Sequence, residues 1–351
     1  MELCKLIKRI GPTDEAARAA ARARWNACAK PLGSLGLLET AIEDIAALTG
    51  SADVSVHKRA VLVLCADNGV VRQGVTQTDS SVTAAVARQL ALGRTSVCRM
   101  AELVRCRVVP VDMGIADFDG CDGVLDRRVG NGTSDFTEGP AMTRHQAECA
   151  IMAGISLARD ESARGTQLIA TGEMGIGNTT TAAAVASVLL ERPAEEMTGR
   201  GAGLSDAALA RKIEVVRRGV ACNAPDPADP VDVLAKVGGY DLAGLCGVFL
   251  GCALCRVPVF IDGFPSAVAA LCAYRICPAA GAAMLASHVS AEPAGALVLS
   301  ALGKRAPIHA EMRLGEGTGA VAAISLLDMA LAVYNGAYTF AEGGIEPYTP
   351  Q

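Results

Sequence analysis

Five short, mainly apolar runs, each followed by a helix-length segment, constrain the fold of this chain most. They are Ala60–Cys65, Arg107–Val111, Gln167–Ala170, Val257–Ile261 and Ala282–Ala286. A strand with one wet face alternates apolar and polar positions, whereas a strand covered on both faces is apolar throughout. These runs are continuous, and the segments between them are long enough for crossover helices. The pattern predicts an α/β fold with a parallel sheet flanked by helices. Aromatics are only 3% of the residues while 51% are hydrophobic, which suits Ala- and Gly-rich helices packed closely on such a sheet.

Four of the runs end within three residues of an acid: Asp67, Asp112, Glu173 and Asp262. In open α/β sheets, ligands bind outside the carboxyl ends of the strands. A row of acids there suits a hydroxyl-rich or cationic ligand. Each acid can instead cap the helix or turn that follows. For Asp67, Asp112 and Asp262 both readings stay open.

The third run leads into Thr171-Gly-Glu-Met-Gly-Ile-Gly-Asn-Thr-Thr-Thr181. A strand, a glycine turn and a helix start fall there in that order. Such a turn aims backbone N–H groups and a helix N-terminus at one spot, which suits a phosphate. The spacing is that of a P-loop, but Asn178 stands where a P-loop has lysine. A nucleoside triphosphate needs that lysine at its outer phosphates; a monophosphate does not. Glu173 inside the turn would repel phosphate, so it faces something else, a sugar hydroxyl or a developing cation.

Two further glycine turns carry chemistry. Thr198-Gly-Arg-Gly-Ala-Gly-Leu-Ser-Asp206 precedes a helix capped by Ser205 or Asp206, with Lys212 about two turns on. It can bring backbone amides and one cation to the same phosphate. Met312-Arg-Leu-Gly-Glu-Gly-Thr-Gly-Ala320 places Glu316 between two glycines. The glycines leave room for a ligand beside the carboxylate, which makes Glu316 the candidate general base.

The net charge of −5, without a Lys/Arg cluster, argues against nucleic acid and anionic membranes as partners. The N-terminus carries mixed charge with no apolar core of signal-peptide length. No uninterrupted apolar stretch has membrane-helix length, roughly 18 residues. The 13 cysteines read as reduced core residues of a cytoplasmic protein. Cys252 and Cys255 form a CxxC pair without a second ligand pair, so they read as packing. His57, His145, His288 and His309 have no metal spacing, and His288 reads as structural. No metal and no cofactor are expected.

Together these residues resemble the nicotinate-nucleotide–dimethylbenzimidazole phosphoribosyltransferase family over nearly the whole chain. The matching pieces are Lys30–Gly36, Ala66–Val70, Gly172–Thr181, Gly199–Lys212, Pro258–Phe264, Ser287–Glu292 and Arg313–Ala320. The resemblance implies a Rossmann-like large domain over 56–319 that holds the active site. It also implies a small helical domain from both termini, 1–55 plus 320–351, and a homodimer. The implied substrates are nicotinate mononucleotide and an aromatic base. Ribose 5-phosphate would move to a benzimidazole-type nitrogen, with nicotinate released and an α-ribotide formed for the cobamide lower ligand. The family's proton-accepting glutamate falls on Glu316 and a second functional glutamate on Glu173. Phosphate and ribose contacts fall on Gly175, Ile176, Gly177, Asn178, Thr179, Gly201, Gly203 and Lys212. Base contacts fall on Ser80, Val86, Leu314 and Gly315.

One segment departs from the family pattern. Thr78 and Asp79 stand where the family often has Tyr-Pro, and Ala85 and Val86 where it has Gln-Met. That segment lines the family's base pocket, so the preferred base here is expected to differ from dimethylbenzimidazole. Two rival readings fare worse. A nicotinamide-dependent dehydrogenase needs Gly-x-Gly-x-x-Gly after the first strand, and Ala-Asp-Asn-Gly stands there. A non-catalytic subunit predicts loss of Glu316 or of the phosphate turn, and both are present.

Overall fold

A computed structural model describes residues 2–348. Six strands form one parallel sheet: β1 (Arg59–Ala66), β2 (Cys106–Gly114), β3 (Leu125–Asp126), β4 (Leu168–Met174), β5 (Val259–Ile261) and β6 (Met284–Ala286). Their spatial order is β3-β2-β1-β4-β5-β6, the doubly wound order of a Rossmann sheet. All five predicted runs are strands. β3, an edge strand of two residues, has no apolar run to announce it. The last two strands are shorter than their runs: the Val257 N–H is drawn to the Cys252 carbonyl of the preceding helix before β5, and residues 278–283 close into a 3₁₀ turn before β6.

Every residue of β1 is buried, as expected for the central strand of a sheet covered on both faces. Two apolar layers result. One packs the helices Arg144–Ala163, Asn178–Leu189, Tyr240–Cys255 and Phe264–Ile276 on the sheet. The other packs Ser81–Ala91, Ser96–Leu103 and Thr318–Gly336 on its opposite face.

The first layer depends on close helix contact. Gly154 meets Gly244 and Gly247 meets Ile151 across the crossing of Arg144–Ala163 and Tyr240–Cys255, and a Cβ on either would overlap a backbone carbonyl. A backbone carbonyl in a helix has no room to yield. Gly154→Ala is therefore expected to destabilise the fold by about 3 kcal/mol through overpacking, measured by urea unfolding. Wild-type stability would show that the helices can separate freely.

The predicted terminal helices appear as Glu15–Ala27, Leu37–Thr49 and Thr318–Gly336. They meet through Trp25 and Tyr334, whose rings lie 4.9 Å apart, and Arg24 Nε donates to the Tyr334 carbonyl at 3.1 Å. Among the described residues, Thr318–Gly336 is long and apolar enough to cross a membrane. In this fold it packs on β4 and β5, and its Asp328 pairs with the buried Arg59 guanidinium.

Candidate active site

The strand order reverses between β1 and β4, which opens a crevice at their carboxyl ends. A cavity of about 280 Å³ lies there. It is bounded by the segments that follow β1, β4, β5 and β6 and by residues Arg313–Gly315.

The turn after β4 is built as its glycines require. Gly177 has φ 92° and directly precedes the helix Asn178–Leu189. The Asn178 N–H donates to the Gly175 carbonyl at 3.1 Å and the Thr180 N–H to the Gly177 carbonyl at 2.9 Å, which tightens the turn at the helix start. Asn68 Nδ2 supports the turn through the Ile176 carbonyl at 3.4 Å. Thr83 Oγ1 accepts from the Ile176 N–H at 3.2 Å.

The second turn closes over the first. Ser205 caps the helix Asp206–Asn223 by accepting from the Ala208 N–H, which settles the choice between Ser205 and Asp206. That helix carries Lys212, whose side chain is almost wholly buried. Its Nζ donates to Thr179 Oγ1 at 2.8 Å and to the Gly199 carbonyl at 3.1 Å. The two glycine turns are thus joined by a buried ammonium. Burial pushes Lys212 down to about 8, and the Glu292 carboxylate nearby opposes that shift. Glu292 Oε1 accepts from the Gly201 N–H at 2.9 Å.

Glu173 is buried at the end of β4. Asn178 Nδ2, from the phosphate turn itself, donates to its Oε2. A side chain on Gly315 would begin 2.7 Å from Glu173 Oε1; the carboxyl and the third turn are in close contact there. Burial holds Glu173 well above the usual carboxylate range, and Asp262 and Asp241 push it further.

Glu316 sits among three consecutive left-handed residues, Gly315 at φ 89°, Glu316 at 59° and Gly317 at 93°. A glutamate held at positive φ is strained, and such strain gathers at functional sites. The Glu316 N–H donates to the Glu173 carbonyl at 3.2 Å, which ties the two candidate carboxylates together. Asp262 pins the same turn by accepting from the Gly317 N–H at 3.2 Å and the Ala320 N–H at 3.0 Å. The Glu316 carboxylate accepts from the Val97 N–H at 3.4 Å, at the start of Ser96–Leu103.

The structure brings Glu173, Gly175, Ile176, Gly177, Asn178, Thr179, Gly201, Lys212, Leu314 and Gly315 to the lining of one cavity. Glu316, Gly203, Ser80 and Val86 lie just outside it. Glu316 follows the lining residue Gly315, and the Gly203 carbonyl accepts from Gln77 Nε2 at 2.6 Å. Ser80 directly precedes the helix Ser81–Ala91 and Val86 lies at its middle; both are half-buried.

The row of acids divides by role. Asp112 accepts from the Gly114 and Ile115 N–H groups and pairs with Arg128; it shapes its own turn. Asp67 accepts from the Ala116 N–H, and Asp262 holds the Glu316 turn. Only Glu173 among the four lines the cavity. Sequence reasoning missed Asp241 and Glu292 as members of the site. The available signal for Asp241 was an acid directly after Gly238-Gly239-Tyr240, at the head of an otherwise apolar helix.

Comparison with known proteins places this arrangement. A family model described as phosphoribosyltransferase matches residues 10–345. The chain belongs to the nicotinate-nucleotide–dimethylbenzimidazole phosphoribosyltransferase family. It is 46% identical to the enzyme of that name from Acetivibrio thermocellus, over 99% of each chain. It is 45% identical to the one from Roseiflexus sp., over 98% of each. The crystal structure of the Thermus thermophilus enzyme of that name superposes with a TM-score of 0.88 at 36% identity, covering 95% of this chain and 99% of that one. Members of this family are pentosyltransferases, and the fold described above is theirs.

Proposed function

We propose that this chain transfers ribose 5-phosphate from nicotinate mononucleotide to a benzimidazole-type base and releases nicotinate. One observation carries the reading: two glycine turns and the buried Lys212 converge on a cavity that also holds Glu173. The turns and Lys212 suit one phosphate. Glu173 lines the same cavity beside the first turn, where the ribose of a bound nucleotide would reach.

In this reading one nitrogen of the base attacks C1′ while Glu316 takes the proton from its other nitrogen. The bond to nicotinate breaks as the new one forms, and its electron pair stays on the leaving ring nitrogen. That ring is a pyridinium before departure, so no general acid is needed. Positive charge builds at C1′ in the transition state, and the Glu173 carboxylate stabilises it. Displacement from the opposite face turns the β-nucleotide into the α-ribotide. Gly201, Gly203 and Gly175–Thr179 hold the phosphate, while Ser80, Val86, Leu314 and Gly315 face the base.

The proposal extends to a homodimer in the cytoplasm and to a small helical domain of residues 1–55 plus 320–351. Family membership and the Trp25–Tyr334 contact support these.

Nicotinate release from nicotinate mononucleotide and dimethylbenzimidazole tests the activity, and its absence would remove the reading. The Thr78-Asp79 and Ala85-Val86 replacements further predict a preference for another base. In a competition among dimethylbenzimidazole, benzimidazole, a purine and a phenol, clear selection of dimethylbenzimidazole would refute the reshaped pocket alone.

A further inference from the structure

The Gly201 N–H, one of the groups assigned to the phosphate, already has a partner that is itself an acid. Glu292 Oε1 accepts from it at 2.9 Å. Glu292 is only 7% exposed and lines the cavity. A side chain on Gly201 would begin 3.0 Å from Thr179 Oγ1 and 3.4 Å from Lys212 Nζ, so Gly201 lies against the ammonium and the hydroxyl that join the two turns. A carboxylate oxygen thus occupies a donor that a phosphate oxygen would use.

The carboxylate is only half satisfied there. Its Oε2 is buried with no hydrogen-bond partner among the described residues. That oxygen is pressed against the second turn: a side chain on Gly199 would begin 2.0 Å from it and 2.5 Å from Pro293 Cδ. An unpartnered buried carboxylate oxygen is costly. Moving Glu292 off the Gly201 N–H therefore relieves a cost while it loses one hydrogen bond. The backbone need not follow. The Glu292 N–H donates to Ser290 Oγ at 3.3 Å and its carbonyl accepts from the Gly295 N–H at 2.9 Å. The neighbouring Ala291 N–H donates to the Met312 carbonyl at 3.0 Å. Rotation of the side chain alone clears the N–H. The Glu292 charge also favours the ammonium form of Lys212, as a phosphate in the same place would.

We propose that Glu292 is a stand-in for phosphate: it holds the Gly201 N–H until the phosphate of nicotinate mononucleotide takes that place, and so sets how tightly the site binds phosphate. The incoming phosphate competes with a tethered anion, and a carboxylate that stayed beside it would repel it. Only the identity of the nucleotide rests on the transfer reading; the competition for the N–H does not.

Calorimetric titration of the full-length protein with inorganic phosphate reads the competition directly. Glu292→Ala removes the competing oxygen and its charge. It is expected to bind phosphate roughly 10-fold more tightly or better, the worth of one hydrogen bond to a charged group. Glu292→Gln keeps an oxygen for the Gly201 N–H without the charge, and its affinity should fall between those of Glu292→Ala and wild type. Nicotinate riboside, which lacks the phosphate, is expected to bind both variants as it binds wild type. In turnover the KM of nicotinate mononucleotide should drop by a factor like that for phosphate. Unchanged or weaker phosphate binding in Glu292→Gln overturns the proposal, and so does an equal gain for the riboside. Glu292→Gln preserves size, so it decides the matter even where Glu292→Ala loses its fold. Failure of wild-type protein to release nicotinate would strike the transfer reading and leave the phosphate titration to decide this one.

Discussion

Replacing Glu316 by glutamine is expected to lower kcat with nicotinate mononucleotide and a benzimidazole roughly 100-fold or more. That loss corresponds to about 2.7 kcal/mol of transition-state stabilisation. Glutamine keeps the length, the positive φ and an acceptor for the Val97 N–H, so the turn is preserved. What disappears is the ability to take the proton from the attacking base. The effect should fall on kcat, with the KM of nicotinate mononucleotide nearly unchanged, because Glu316 does not line the phosphate end of the cavity. A kcat within a few-fold of wild type would assign proton transfer to another group, and Glu173, joined to the same turn, would be the next to test.

Lys212→Met is expected to act on the other parameter. A hydrogen bond to a charged group is worth about 1.5–3 kcal/mol. Loss of the ammonium should therefore raise the KM of nicotinate mononucleotide roughly 10- to 150-fold, with a smaller change in kcat. Methionine fills the same buried channel, so the helix Asp206–Asn223 keeps its packing. The wild-type pH dependence supplies an independent check. Burial brings Lys212 down to about 8, so in the free enzyme the charged form prevails below that pH and is lost above it. Phosphate affinity should weaken as pH climbs through 8, and Lys212→Met should abolish that dependence. A KM that stays flat in wild type across that titration would show that Lys212 does not touch the phosphate.

The two variants separate the ends of one site. Glu316 and Lys212 lie 104 positions apart by their numbers in the chain. They serve one crevice because the carboxyl ends of β4, β5 and β6 open on one edge of the sheet. The segments between them cross behind that edge as helices.

Much of this was legible in the sequence for a physical reason. Burial on both faces forces a strand to be apolar throughout, so β1, β2 and β4 announce themselves. Left-handed backbone strongly favours glycine, so the turns at Gly177, Gly201, Gly315 and Gly317 announce themselves too. β3 left no trace, because two residues at an edge need neither property.

The placement of Asp67, Asp112 and Asp262 was not legible. Asp67, Asp112, Glu173 and Asp262 follow the same kind of apolar run, yet only Glu173 lines the cavity. Whether a carboxylate caps a turn or faces a ligand depends on which backbone N–H groups lie within reach, and distant segments bring those. Asp262 is drawn to the Gly317 and Ala320 N–H groups, which come from 55 and 58 residues away. Asp241 acquires its place only when its helix packs behind the phosphate turn. By itself, then, the sequence determined the parallel sheet, the glycine turns and the residue types of the site, because backbone conformation and burial act locally on composition. Only the tertiary structure decided which carboxylates line the cavity and which hold turns, because desolvation and hydrogen bonding depend on neighbours that the chain order does not reveal.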